Sequence, residues 1–438
     1  MPWRENLVPS PMRRAAVVAP VDRSRRVFVE IADAGVFEPD RADDEVGRPA
    51  VPSSETSVDD DEAILEERTR AANTVHGCAV LPGWIPDARV EAVNASIGRL
   101  GGALVEIPER RGMTPPTAHV DSPVASAFRP LVSTYATVPY RDIDPTMFAA
   151  IAYMVMFGMM FGDVGHGMGI VVFGVVAARS NSDRLRPARP AAPFLIGAGL
   201  AAIGFGFLYG EAFGPTGLVP ALWLRPLDEP EQLLVAGLLI GTLLLGVTFL
   251  VAIANRWRES GLSSALYDAS GIAGAVLFVG VATAGIGVAT STSWALQTGA
   301  AVAVVGAVLT FVGLLVRAGP GGAGVAEALV EMFDTVLRLG SNIVSFTRLA
   351  AFGLTHAVIT AVVWDGTVSL SSSGTVPGWI AAVLLFVVGN VAAFGLGALV
   401  AAIQALRLEY YEMFSRLFAS QGRPFDPLHI PADRLETS

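Results

Sequence analysis

Arg348 is the residue that demands most of its surroundings. It lies within Ser341-Asn342-Ile343-Val344-Ser345-Phe346-Thr347-Arg348-Leu349-Ala350-Ala351-Phe352-Gly353, inside a long, mostly apolar stretch that must cross a membrane. A guanidinium keeps its proton, and burying it in hydrocarbon costs about 3 kcal/mol on insertion scales. An intramembrane arginine is therefore a functional hypothesis, and its partner must be sought. At about 100° per residue, Asp334, Ser341, Arg348 and Thr355 recur every seven residues and drift by only about 20° a step. Ser345 lies close to this stripe and His356 on its flank. A polar stripe on an apolar helix faces a water-filled path or another polar surface, not lipid. The plainer alternative is a helix–helix seam held by small polar residues, which has no need of a fixed charge at mid-depth.

Gln404 and Arg407, spaced i, i+3, share a face of the last apolar stretch, and Glu409, Tyr410 and Glu412 follow. Arg407 could instead snorkel to the interface. Two neighbouring guanidiniums want a carboxylate between them. With no acid in this stretch before Glu409, that carboxylate is expected from another subunit. A third motif, Phe157-Gly158-Met159-Met160-Phe161-Gly162-Asp163-Val164-Gly165-His166-Gly167, holds an aspartate and a histidine of catalytic type. No third metal ligand or nucleophile stands near them in sequence. The favoured reading is structural. Gly158, Gly162, Gly165 and Gly167 permit a tight turn and close helix approach, and Asp163 caps the helix carrying His166. No metal and no cofactor are expected. Glu211 and Asp268 read likewise as caps or polar glue.

The elements that must position these residues follow from composition. The 438-residue chain is 52% hydrophobic and 16% charged, with 46 glycines and a mean hydropathy of +0.53. That is a polytopic membrane protein with a soluble appendage. All 30 positive charges are arginine, which suggests a GC-rich bacterial genome. The net charge of -10 sits largely before residue 145 and implies no nucleic-acid partner. A single cysteine, Cys78, excludes an internal disulfide and any multi-cysteine metal site. The polar, proline-broken opening is no signal peptide, so the N-terminus is expected in the cytoplasm.

Residues 1–138 read as a small cytoplasmic α/β lobe. Strands are expected at Met12–Pro20, Val75–Pro82 and Ala103–Ile107, and helices at Val21–Gly35 and Pro86–Leu100. The acidic, apolar-poor segment 39–73 is a linker. Residues 139–438 are the membrane domain. Asp144 reads as an N-cap and Pro145 as a first helical residue. Hydrophobic segments follow at 146–162, 164–180, 191–213, 232–254, 263–288, 294–317, 324–364 and 377–418. One span needs about 20 residues, so the last two must tilt strongly or protrude. Arg179, Arg184, Arg186, Arg189, Arg256, Arg258, Arg317, Arg416 and Arg423 fall on one side of an eight-span arrangement, and only Arg225 on the other. Both termini are then cytoplasmic. The fold class expected is mainly α: eight spans with two long tilted C-terminal helices, plus the α/β lobe.

Three motifs in order, FGMMFGDVGHG, DTVLRLGSNIVSFTRLAAFGLTHA and QALRLEYYEMFSRLF, resemble the membrane stator of rotary V/A-type ATPases, subunit a (called I in prokaryotes). The likeness covers nearly all of 139–428, and extends weakly to Met12–Pro20 and Gly83-Trp84-Ile85-Pro86. The resemblance implies two steeply tilted helices against a rotating ring of small membrane subunits, each with an ion-binding carboxylate. Arg348 and Arg407 would face that carboxylate. Asp334 would line the cytoplasmic half-channel, with Ser341 and Ser345 on the same stripe. His356 would lie toward the opposite half-channel, with Gln404 close to the second arginine. Other implied partners are peripheral-stalk and central-stalk subunits and the lipid of a bacterial plasma membrane. The sequence departs from the family at Gly397, where eukaryotic relatives carry glutamate, and at Arg338, where they carry asparagine. It departs again at 39–73, too few residues for the family's coiled-coil arm.

The function expected is that of an ion-conducting stator subunit, coupling proton or Na+ translocation to rotation. A non-catalytic subunit fits the lack of any Gly-x-x-x-x-Gly-Lys-[Ser/Thr] loop in a lysine-free chain. The alternative is a stand-alone secondary transporter or membrane regulator that kept the stator fold.

Overall fold

The computed structural model describes residues 9–40, 73–109, 113–118, 123–418 and 422–430. Two compact units divide the chain. One comprises Met1–Val120, Ala136–Asp144 and Ser420–Ser438, the other Asp121–Tyr135 and Pro145–Ala419.

The first unit is a sheet covered by helices. Its elements are β1 (Met12–Pro20), α1 (Ser24–Ala34), β2 (Glu38–Pro39), β3 (Asn73–Val75), β4 (Cys78–Pro86), α2 (Val90–Gly98) and β5 (Ala103–Glu106). The strand order is β2-β4-β1-β5, with β3 added on β4, and every pairing is antiparallel. Val17 stands opposite Leu81 on one side and Leu104 on the other. Ala15, Val17 and Ala19 of β1 share one core with Val27, Phe28 and Ile31 of α1, Leu81 of β4, and Val93 and Ile97 of α2. Alternate strand residues and a helical i, i+4 row thus bury each other. The strand expected at 75–82 is two strands. His76 and Gly77 both have positive φ, 49° and 80°, and close a two-residue hairpin between Val75 and Cys78. The helix expected from Pro86 begins at Val90, after a single 3-10 turn at Asp87–Arg89. Most of the acidic linker, 41–72, lies outside the described residues.

The second unit is helical: α3 (Pro123–Ser133), α4 (Thr146–Met160), α5 (Val164–Arg179), α6 (Ala192–Tyr209), α7 (Pro230–Ser260), α8 (Leu262–Tyr267), α9 (Ile272–Ala289), α10 (Ser293–Ala318), α11 (Gly322–Ser345), α12 (Thr347–Ser371) and α13 (Val376–Leu408). A wide π turn, Glu409–Phe414, continues α13. Six stretches are long and apolar enough to cross a membrane by length and composition. The last two, Gly322–Ser371 and Val376–Leu417, run to 50 and 42 residues. At 15 and 16 residues, α4 and α5 are shorter. They rise only about 22–24 Å, against a hydrocarbon core of about 30 Å. Of the eight expected spans, six meet this measure among the described residues. Helix α4 starts at Thr146, with Pro145 at its N-cap and no capping side-chain bond.

Close approach needs small residues. A Cβ at Gly158 would come within 2.9 Å of the Ala201 backbone, and one at Gly167 within 2.8 Å of the Ile203 nitrogen. The two short helices therefore lie hard against α6. The stretch expected as one helix over 324–364 is broken at Phe346, one residue past α11. There the N–H of Phe346 donates to the Ile343 carbonyl, three residues back. No proline causes this. The Phe346 ring is fully buried and occupies the space a side chain at Gly241 of α7 would fill. The break therefore coincides with a tight contact between Phe346 and α7.

Candidate ion-path site

The break at Phe346 and the π turn after α13 bring one polar cluster together. Glu412, 7% exposed, lies on the π turn. Ser345, the last residue of α11, hydrogen-bonds to it, and Arg348, Arg416 and Arg407 lie within electrostatic reach. Asn342 completes the group. In the amide orientation that satisfies both of its ends, its nitrogen donates to Glu412 Oε2 at 2.7 Å and to the Arg338 carbonyl at 2.8 Å. Its oxygen then accepts from Arg416 at 3.1 Å. The Arg416 guanidinium also stands 4.9 Å over the Phe249 ring. One turn earlier on α11, Arg338 forms an i, i+4 ion pair with Asp334, both exposed.

This adds to one expectation. The carboxylate between the arginines is not wholly left to another subunit, because Glu412 of this chain supplies one. Charge still does not balance. Arg338, Arg348, Arg407 and Arg416 make four cations against the two acids Asp334 and Glu412. A further anion would be stabilised beside this cluster.

The expected stripe divides at the break. Asp334 and Ser341 are exposed on α11, Arg348 is half-buried, and Thr355 is exposed on α12. Arg407 is exposed on α13. Gln404, one turn before it, is half-buried with its Oε1 unpartnered. His356 is not part of this surface. It is buried on the flank of α12, about 80° round from Arg348, its Nε2 3.4 Å from His166 Nδ1. Asp163 caps α5 through the N–H of His166 at 2.9 Å, and also accepts from the N–H groups of Phe213 at 3.0 Å and Gly214 at 2.9 Å. Gly162 and Gly165 leave room for the rings of Tyr209 and Phe213. Asp268 bridges Arg317 and Arg256 at the junction of α7, α9 and α10.

A family model for the V-type ATPase 116kDa subunit family matches residues 55–216. An A-type ATP synthase subunit I from Aeropyrum pernix is 28% identical over 377 residues, covering 75% of this chain and 53% of its own length. The subunit I of Archaeoglobus fulgidus is 26% identical over 407 residues, covering 80% and 58%. That of Halobacterium salinarum is 26% identical, covering 81% and 62%. These matches make the chain similar to the V/A-type ATPase subunit a family. It spans little more than half the length of these archaeal subunit a relatives. Glu412, Asn342 and Arg416 are the members of the cluster that sequence reading did not assemble. The only hint was the run of acidic and aromatic residues just past Arg407.

Proposed function

We propose that this chain is the ion-conducting stator subunit of a V/A-type rotary ATPase, carrying protons or Na+ past a rotating ring of small membrane subunits. The observation that carries the reading is the half-buried Arg348 beside Glu412, in a cluster with two more cations than anions. A ring carboxylate arriving from lipid is favoured in its ionised form by a fixed guanidinium and releases its ion. On leaving, it must be neutralised before it re-enters lipid. Arg348, with Arg407 exposed on the neighbouring helix, is the barrier between two offset half-channels. Asp334, Ser341 and Ser345 line the cytoplasmic one, and His356 lies toward the other. Gln404 supports Arg407. Helices α4 and α5 complete an eight-span arrangement, crossing where neighbouring helices shield their short ends. The arginine distribution puts both termini in the cytoplasm.

The test is ATP-driven ion uptake by vesicles carrying the assembled complex. Arg348→Ala is expected to abolish uptake. Arg348→Lys, which keeps the charge and loses the planar fork, is expected to fail as well. Near-normal uptake by Arg348→Ala in an assembled complex sinks the assignment. Failure of this chain to co-purify with ring subunits would favour a stand-alone transporter.

A further inference from the structure

A second polar cluster sits at the turn between α4 and α5, apart from the arginines. Asp163, His166 and His356 are 0%, 2% and 4% exposed. His166 Nδ1 is 3.4 Å from His356 Nε2 and 3.8 Å from Asp163 Oδ1. One ligand atom from each of the three lies within 4.8 Å of the others, and no other such trio of His, Cys, Asp or Glu occurs among the described residues. Tetrahedral ligands at about 2.0–2.1 Å from a zinc ion are about 3.3 Å from one another. Small shifts would close these three atoms on a metal.

The outward ring nitrogens sharpen the case. His166 Nε2 and His356 Nδ1 are buried without hydrogen-bond partners, as is Asn390 Oδ1. Asn390 stands against the His166 ring. A metal on Nδ1 of His166 obliges the proton to sit on Nε2, and Asn390 Oδ1 is then the acceptor at hand. Metal-bound histidines characteristically donate their other N–H in this way. Asp163 is already fixed by three backbone N–H groups, so it is pre-oriented. The rings of Phe161, Phe213 and Phe394 wall the site. Two imidazoles with one carboxylate suit a first-row transition ion, not Mg2+ or Ca2+, which take oxygen ligands. The His356 ring has its place because residue 397 is glycine: a Cβ there would lie 2.7 Å from His356 Nδ1 and 2.9 Å from Phe161.

We propose that Asp163, His166 and His356 bind one divalent transition metal, Zn2+ by their donor set, and that the ion staples the α4–α5 turn to α12. The site shares His356 with the ion path proposed above, so retained zinc, and not ion uptake, is the readout that tests it. To test it, the full chain in detergent is stripped with EDTA, loaded with Zn2+, desalted and assayed for retained zinc, with the coordination shell read by X-ray absorption. A single retained equivalent with a nitrogen and oxygen shell is expected. His166→Gln and His356→Gln should lose it. Asn390→Leu, which keeps every ligand, should weaken binding by about 10–100-fold. Gly397→Ala should weaken it by displacing the His356 ring. Zinc should raise the thermal midpoint of the unsubstituted chain but not of His356→Gln, with each variant first shown to match its helix content. Equal zinc retention in the His356→Gln chain would mean an adventitious ion only and would overturn the proposal. So would a sulfur shell, which would point to Cys78, or no retained zinc at all.

Discussion

Glu412 follows Arg407 by five residues, a spacing that on a regular α-helix turns it about 140° away. The π turn at Glu409–Phe414 takes up an extra residue and swings Glu412 back toward the arginines. This is why periodicity at 3.6 did not assemble the cluster. The polar stripe through Arg348 was legible, because a charge in an apolar helix stands out in any window. Its carboxylate was not, because nothing in local composition announces a wide turn. The same limit hid His356 from His166, 190 residues apart, while the aspartate opening a glycine-rich helix was readable as a cap. Glu412→Gln removes one of two acids facing four guanidiniums, among them the half-buried Arg416. With Arg407 exposed, Arg416 half-buried and Asn342 between Glu412 and Arg416, the loss should be about 1 kcal/mol or less. The thermal midpoint should fall accordingly. Adding Arg416→Met should recover part of the loss, since the two residues meet through Asn342. Simple additivity of the two effects would show that they do not interact.

Helix length and apolar content were enough to find the long helices, because a stretch of about 20 apolar residues has few other uses. The break between α11 and α12 carries no such sign. Phenylalanine is an ordinary helix residue, and the contact that coincides with the break lies on α7, where Gly241 leaves the hollow that Phe346 fills. The break matters because it ends α11 at Ser345 and restarts the helix one residue before Arg348, which sets the two residues' angle to Glu412. Gly241→Ala would put a methyl group into the Phe346 ring. Overpacking of this kind costs about 1–3 kcal/mol, and the chain should unfold at lower temperature in detergent. Phe346→Leu should partly rescue the Gly241→Ala chain by shortening the ring side chain. If Gly241→Ala alone leaves the midpoint unchanged, Phe346 is not held in that hollow and the break needs another cause.

At the scale of the molecule, orientation rests on arginines and not on helix count. Whether or not α4 and α5 cross fully, they come as a pair, so the side on which each later loop emerges is the same for six spans as for eight. The loop after α5 holds Arg184, Arg186 and Arg189, and the stretch after α6 holds Arg225 alone. Basic loops stay in the cytoplasm, so the proposed topology has α6 carrying the chain outward and α7 bringing it back. Leu218, beyond α6, is 76% exposed, and Ser182, beyond α5, is also exposed. With Cys78 replaced by serine, a cysteine at Leu218 should react with a membrane-impermeant thiol reagent added to intact cells. A cysteine at Ser182 should react only after the membrane is opened. Reaction of both from outside would mean that α6 does not cross. The reverse pattern would invert the whole helical unit and place the Asp334 path on the wrong face for a cytoplasmic half-channel.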